Sequence, residues 1–301
     1  MRIPVVDLRD PDAAAEIDRA CRSWGFFALV GHDVPDTVID DAWTTMVEFF
    51  QLGTDEKLRS HVLDHPYGYF PMASERLARS LGEETPPDLK ESFNLGPEPR
   101  TDDGSGIFGS AERIWPGAVP RLEAAWTAYY EHLAELGARL MAHFALALGL
   151  DQDRFDGCLD RHVSALRGLH YPPVRDPIPG QFRAGAHTDY GTLTILLPGP
   201  GDGGLQIHFG GAWITPEFPE GAFVVNLGDL MATWTSDRWR STLHRVVLPS
   251  ETHRDEHRYS MAFFHTPNWN AEVIPLDELD AEPVLAGPWL QAKFAAASTG
   301  Q

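Results

Sequence analysis

Apolar positions recur three and four residues apart through much of the first half of the chain. The stretches "AAAEIDRACRSW" (13–24), with Ile17 and Cys21 four apart, and "DTVIDDAWTTMVEFFQL" (36–52) therefore read as amphipathic helices. Between them "GFFALVGH" (25–32) is a short apolar run and reads as a strand, as does "IPVVDL" (3–8) at the start. The clearest helix is "PRLEAAWTAYYEHLAELGARLMAHFALALGL" (120–150). Leu122, Trp126, Tyr129, Leu133, Leu136, Leu140, Phe144 and Leu148 mark one face of it, and Pro120 suits its first turn. Residues 53–118 are rich in Gly, Pro and charge and carry few periodic runs, a property often found in functional segments.

Past residue 160 the period shortens. The runs 'HVSALRGLHY', 'TLTILL', 'GLQIHF', 'FVVNLGD', 'LHRVVL' and 'YSMAFFH' are separated by Gly, Pro and Asp clusters, the pattern of an all-β sandwich or barrel. The predicted fold is mainly β with flanking α-helices that pack on one outer face. The chain divides into residues 1–118, which contribute to the core and the substrate pocket, a scaffold helix and connection at 119–160, a β core at 161–270 and a C-terminal segment at 271–301. The last is expected to form a helix near the pocket mouth.

Composition narrows the partners. The 301 residues, 43% hydrophobic, suffice for a large core. A net charge of −20 repels phosphate backbones, so no nucleic-acid partner is expected. No apolar run approaches the roughly 20 residues that span a bilayer, and "MRIPVVDLRD" has no signal-peptide core, so no membrane partner and a cytoplasmic location are expected. A monomer or weak homodimer is expected. Cys21 and Cys158 are expected to stay reduced, and three lysines against many Arg and Ala suggest a bacterial source.

"HTDYGTLTIL" (187–196) holds the candidate chemistry. Residues two apart on a strand share a face, so His187 and Asp189 could present an imidazole and a carboxylate side by side. His244, at the start of a later apolar run, is the candidate third ligand. Two histidines and one carboxylate form the facial triad of non-heme Fe(II) oxygenases. The alternative is a histidine capping a strand end and paired with Asp189. A second His-x-Asp, His253–Asp255, lies in the polar stretch "PSETHRDEHR" and reads as a solvated turn. Arg258 and Ser260 are again two apart, in 'RYSMAFFHTPN', and form a receptor for a carboxylate; the apolar residues after them argue for burial.

These motifs make the chain resemble the Fe(II)/2-oxoglutarate-dependent oxygenases of the isopenicillin N synthase-like family. "IPVVDL", "WGFFALVGHDV" (24–34), 'FFQLGTDEK' (49–57), "DLKESFNLG" (88–96), 'WP' (115–116), 'LRGLHYPP' (166–173), 'HTDYGTLTIL', 'GGLQI' (203–207), 'NLGD' (226–229), 'LHRVV' (243–247) and 'RYSMAFFHTPN' (258–268) occur in the family's order and cover nearly the whole chain. The resemblance implies a double-stranded β-helix (jelly-roll) core and an oxygenase that uses Fe(II), 2-oxoglutarate and O2. Such an enzyme oxidises an unactivated C–H bond of a small molecule by hydroxylation, desaturation or cyclisation, here expected in bacterial secondary metabolism. By position His187, Asp189 and His244 would bind iron, and Arg258, Ser260 and Tyr171 would bind 2-oxoglutarate. Leu169 stands where the family often has Asn. His244 and Arg258 are 14 apart, longer than usual, and Arg254 would suit the shorter spacing. Two other readings stay open: an oxidase of the same fold in which Arg258 and Ser260 grip the substrate's own carboxylate, and a non-catalytic binding protein. Tyr67, Tyr69, Phe93 and Phe264 are candidates to line the substrate pocket, and Arg76, Arg79, Lys90 and Arg183 could meet an anionic substrate.

Overall fold

The computed structural model describes residues 1–101, 104, 106–174, 176–201, 203–278 and 280–298. The predicted helices form as α1 (Ala13–Ser23), α2 (Asp36–Phe50) and α5 (Arg121–Ala147), with the short helices α3 (Thr54–Leu58) and α4 (Gly106–Ser110) between the last two and α6 (Asp229–Trp234) later in the chain. Of the marked face of α5, Leu122 through Phe144 is buried, while Leu148 lies past the helix end and is half-buried. Helices α1, α2 and α5 enclose one core with the outer face of a large sheet, where Trp126 donates its indole N–H to the Ala42 carbonyl.

That sheet has eight strands in the order β1 (Val5–Asp7), β2 (Phe26–Val30), β10 (Phe223–Leu227), β7 (Leu193–Pro198), β12 (Arg258–His265), β5 (Ala165–Tyr171), β4 (Glu91–Leu95), β3 (Gly68–Phe70). Four of the eight come from residues before 119, so the N-terminal region is part of the sheet rather than a cap upon it. A second sheet runs β6 (Ala184–His187), β11 (His244–Val246), β8 (Leu205–Phe209), β9 (Ala212–Ile214). The two sheets close on a cavity, which gives the jelly-roll architecture. Both faces of the large sheet are covered, so its strands read as near-continuous apolar runs. On β12, Met261 and Phe263 join the core beneath the helices, while Arg258, Ser260, Ala262 and Phe264 line the cavity.

The polar stretch around His253 forms a short 3-10 turn, Glu251–His253, on the surface, as its composition predicts. Cys21 and Cys158 are both free thiols. The C-terminal segment forms α7 (Ala286–Ala297), whose Leu290, Phe294 and Ala297 reach the cavity. Among the described residues, no helix is long and apolar enough to cross a membrane.

Candidate active site

His187 ends β6, and His244 begins β11 directly opposite it in the antiparallel register. The two imidazoles are therefore cross-strand neighbours, with ring centroids 4.3 Å apart. Each Nδ1 faces a backbone carbonyl, Gly185 O at 2.7 Å for His187 and Thr242 O at 3.0 Å for His244. A carbonyl only accepts, so each Nδ1 carries the proton and each Nε2 presents its lone pair. Asp189 has left the strand. The expected strand alternation does not place it; two side chains do. Thr194 Oγ1 and Asn226 Nδ2 donate to its Oδ2 at 2.5 and 2.7 Å. Oδ1 is left 3.8 Å from both Nε2 atoms.

Three ligand atoms of His187, Asp189 and His244 thus lie within 4.8 Å of one another in a buried pocket, a spacing that could hold a cation. Burial, with His244 beside it, pushes His187 down to about 3, so the ring stays neutral. Burial works to raise the Asp189 carboxyl, but His244, His187 and its two hydrogen-bond donors outweigh it and hold it below the usual carboxylate range. Two neutral imidazoles and one carboxylate suit a divalent first-row metal with open positions, and such orienting hydrogen bonds are typical of metal sites.

The same cavity, about 170 Å3, extends over the inner face of the large sheet. Its first row is Tyr171 opposite Arg258, with the Arg258 guanidinium 4.8 Å from the Tyr171 ring centre. The next row pairs Leu169 with Ser260. A side chain at Gly203 would come within 2.9 Å of Arg258 Nη2, so this glycine leaves the guanidinium its berth. Arg254 instead is half-buried at the surface, ion-paired with Glu251, and does not line the cavity. The long His244–Arg258 interval is spent on the surface turn. The Leu169 side chain lines the cavity beside Ser260, so this wall is apolar there.

Of the pocket aromatics expected from sequence, Tyr67 and Phe264 line the cavity. Tyr69 and Phe93 do not; they pair across β3 and β4 and pack against Phe49 beneath the helices. The reason is Gly68, whose φ of +92° breaks the strand alternation between the two tyrosines. Tyr67 turns inward and lays its ring over Gly96, where a Cβ would collide with it, while Tyr69 turns outward. Lys90 lines the cavity but is held by Glu75 at 3.1 Å and Asp88 at 3.2 Å. Arg76 and Arg79 pair with Glu84 at the rim, and Arg183 donates to the Glu256 carbonyl. Sequence reasoning missed Glu75, Arg167 and Phe108 on the cavity wall, while Phe294 lies on the C-terminal helix expected near the pocket mouth. Arg167 was recoverable, because it shares the parity of Tyr171 along the strand.

Two family models match the chain. The non-haem dioxygenase N-terminal region, described from morphine synthesis, covers residues 3–118, and the 2OG-Fe(II) oxygenase superfamily covers residues 162–267. Validamycin A dioxygenase of Streptomyces hygroscopicus subsp. limoneus is 34% identical, over 95% of this chain and 81% of that protein. The 2-oxoglutarate-dependent dioxygenase tropC of Talaromyces stipitatus is 32% identical over 87% and 82%. Among solved structures, a full-length Neurospora crassa protein in complex with alpha-KG superposes with a TM-score of 0.83 at 29% identity, over 97% of this chain and 96% of that one. JOX2 in complex with 2OG, Fe and JA gives 0.82 at 27% identity, over 100% and 87%.

The chain belongs to the 2OG-Fe(II) oxygenase superfamily. It is a 2-oxoglutarate-dependent dioxygenase that works with Fe(II) and O2 on a small molecule.

Proposed function

We propose that His187, Asp189 and His244 hold the iron of this enzyme, and that Arg258, Ser260 and Tyr171 hold the distal carboxylate of 2-oxoglutarate. The convergence of two bare Nε2 atoms and Asp189 Oδ1 on one buried point carries this reading. Once bound there, the iron would activate O2 with decarboxylation of 2-oxoglutarate to succinate and CO2 and oxidise a substrate C–H bond. The chain's part is positional. Gly185 and Thr242 carbonyls fix the two rings, and Thr194 and Asn226 fix the carboxylate. Arg258 supplies a charge-assisted, potentially bidentate contact and Ser260 a hydroxyl on the same face of β12. The apolar wall around them excludes water from the reaction.

The similarity to Validamycin A dioxygenase supports a role in secondary metabolism. The residue division at 118, 160 and 270 is proposed as a working one within a single β framework. A net charge of −20 disfavours nucleic acid, and we propose that the enzyme acts without a membrane partner, as a monomer or weak homodimer in the cytoplasm.

Anaerobic addition of Fe(II) and then 2-oxoglutarate tests the site assignment through the visible charge-transfer band of the chelate. His187→Ala should abolish the band. Arg258→Ala should keep it while weakening 2-oxoglutarate affinity by about 10- to 100-fold. A full band in His187→Ala, or unchanged affinity in Arg258→Ala, would overturn the respective assignment.

A further inference from the structure

The row of the large sheet beyond Leu169 and Ser260 pairs Asn94 of β4 with Arg167 of β5. It sits about 7 Å further along the strands, two residues on, away from the Arg258 end. Asn94 is 3% exposed and lines the cavity. Its Nδ2 reaches the Pro66 carbonyl at 3.4 Å. That carbonyl can only accept, so the amide orientation is fixed and Oδ1 is the atom that faces elsewhere. Oδ1 is buried and has no hydrogen-bond partner among the described residues. An acceptor left bare at this depth has lost its hydration without compensation, which a ligand donor would restore.

Arg167, its cross-strand neighbour, also lines the cavity. Its Nη1 donates to both oxygens of Glu75 at 3.0 Å, and among the described residues no acceptor is hydrogen-bonded to its Nη2 or Nε. A planar guanidinium held from one corner keeps donors for an oxygen acceptor. Formal charge at this end is already balanced. Lys90 and Arg167 face Glu75 and Asp88, with Lys90 held by both carboxylates. A charged substrate group would enter a neutralised cluster and lose its hydration without a free counter-ion. Around this polar pair the wall is apolar, with Phe108, Phe264 and Phe294.

We propose that Asn94 and Arg167 are the specificity-determining pair for the substrate. They select an uncharged group in which an N–H or O–H donor stands beside an oxygen acceptor. The donor meets Asn94 Oδ1, the acceptor meets Arg167, and the apolar body packs on the three phenylalanines. This deepens the iron and 2-oxoglutarate assignment and rests on it.

The test uses the full chain loaded anaerobically with Fe(II) and 2-oxoglutarate, and reads perturbation of the charge-transfer band as probes are titrated. A ring imide (glutarimide) and a ring polyol (myo-inositol) represent the two sources of a donor–acceptor edge. N-methylglutarimide removes the imide donor, cyclohexane carboxylate adds charge and toluene removes polarity. At least one of the two polar neutral probes should bind about 10- to 100-fold tighter than each of these controls, and which one does so identifies the source. In Asn94→Leu that preference should vanish while the unperturbed band remains, which shows that the variant is folded and loaded. Asn94→Thr, which keeps an oxygen acceptor, should restore part of it. Controls binding as tightly as the neutral polar probes, no probe binding at millimolar concentration, or an unaltered preference in Asn94→Leu would each overturn the proposal. Absence of the band in the unmutated protein would instead overturn the metal and cosubstrate assignment.

Discussion

Two buried charged networks flank the start of strand β4, one on each face. Lys90 turns inward to Glu75 and Asp88, and Glu75 also holds Arg167. Glu91, the next residue, turns outward. Both its oxygens receive Lys57 Nζ at 2.7 Å, and it also meets His170 Nδ1 at 2.6 Å and the Tyr69 hydroxyl. A Lys–Glu pair is common to both; the inner network adds Asp88 and Arg167, the outer one His170, Tyr69 and His257, and their surroundings differ. The inner one opens on the cavity, whereas the outer one lies away from it, packed under Phe49 and Phe50, and ends at the exposed His257, 2.8 Å from His170 Nε2. Burial alone would raise the Glu75 carboxyl, but Arg167 and Lys90 outweigh it and hold it at about 2. For Glu91, burial is likewise outweighed, by hydrogen bonds from His170, Lys57 and Tyr69. A buried ion network is thus no mark of an active site by itself; the face it occupies decides.

The largest expected effect is at Lys90. Lys90→Met takes from buried Asp88 its only cation among the described residues, leaving it the backbone N–H donors of Gly185 and Leu77. It also takes one of two cations from Glu75, which keeps Arg167, and should cost about 3–5 kcal/mol in urea unfolding. Lys90 also lies beside Tyr171, so 2-oxoglutarate affinity should weaken in the same variant. Lys57→Met leaves Glu91 with donors from His170 and Tyr69 and should cost less, about 1–3 kcal/mol. Turnover and the charge-transfer band should not change. If Lys57→Met weakened 2-oxoglutarate binding as Lys90→Met does, the division between the two faces would fail.

Much of this was legible in the chain. The helical period of 120–150 and the alternation of 'RYSMAFFH' each state which residues face the core, because burial on a regular element follows its geometry. His187, His244, Arg258 and Ser260 were readable for the same reason: each stands on a strand at a fixed parity. The illegible parts are where the backbone departs from a period. Asp189 is held in a turn by Thr194 and Asn226, partners 5 and 37 residues away. Gly68 reverses the face between Tyr67 and Tyr69. Glu75, in an irregular segment, joins Arg167 across 92 residues, a pairing that no local pattern announces.

Acidification acts first elsewhere, through two histidines that belong to neither network. His265 is pushed down to about 3 by burial and by His162, and His162 to about 4 by burial and by Arg100. Their unfolded values are about 6.5, so between pH 6.5 and about 4 the unfolded chain binds protons that the folded chain refuses. Stability is full above 6.5 and should fall as pH drops toward 4. The Glu75 contribution is lost only lower, from about 4.5 to about 2. Thermal unfolding of the chelator-treated protein from pH 7 to pH 4 should show a Tm decline, by several degrees, that His265→Asn makes shallower. A slope unchanged by that substitution would assign the acid sensitivity elsewhere.

The smallest effect separates the two tyrosines that flank Gly68. Tyr69→Phe removes one of several donors to Glu91, on the face away from the cavity, and should cost about 1 kcal/mol with turnover unchanged. Tyr67→Phe removes the hydroxyl that binds the Phe108 carbonyl, on the cavity wall. Its stability cost should be similar, about 1 kcal/mol, but it frees Phe108 in the wall of the proposed substrate cavity, so KM for substrate should rise while 2-oxoglutarate affinity stays constant. Equal kinetic consequences in the two variants would mean that the faces of this strand pair are not functionally distinct. A KM change confined to Tyr67→Phe would show that a single positive-φ glycine divides a structural tyrosine from a substrate-facing one.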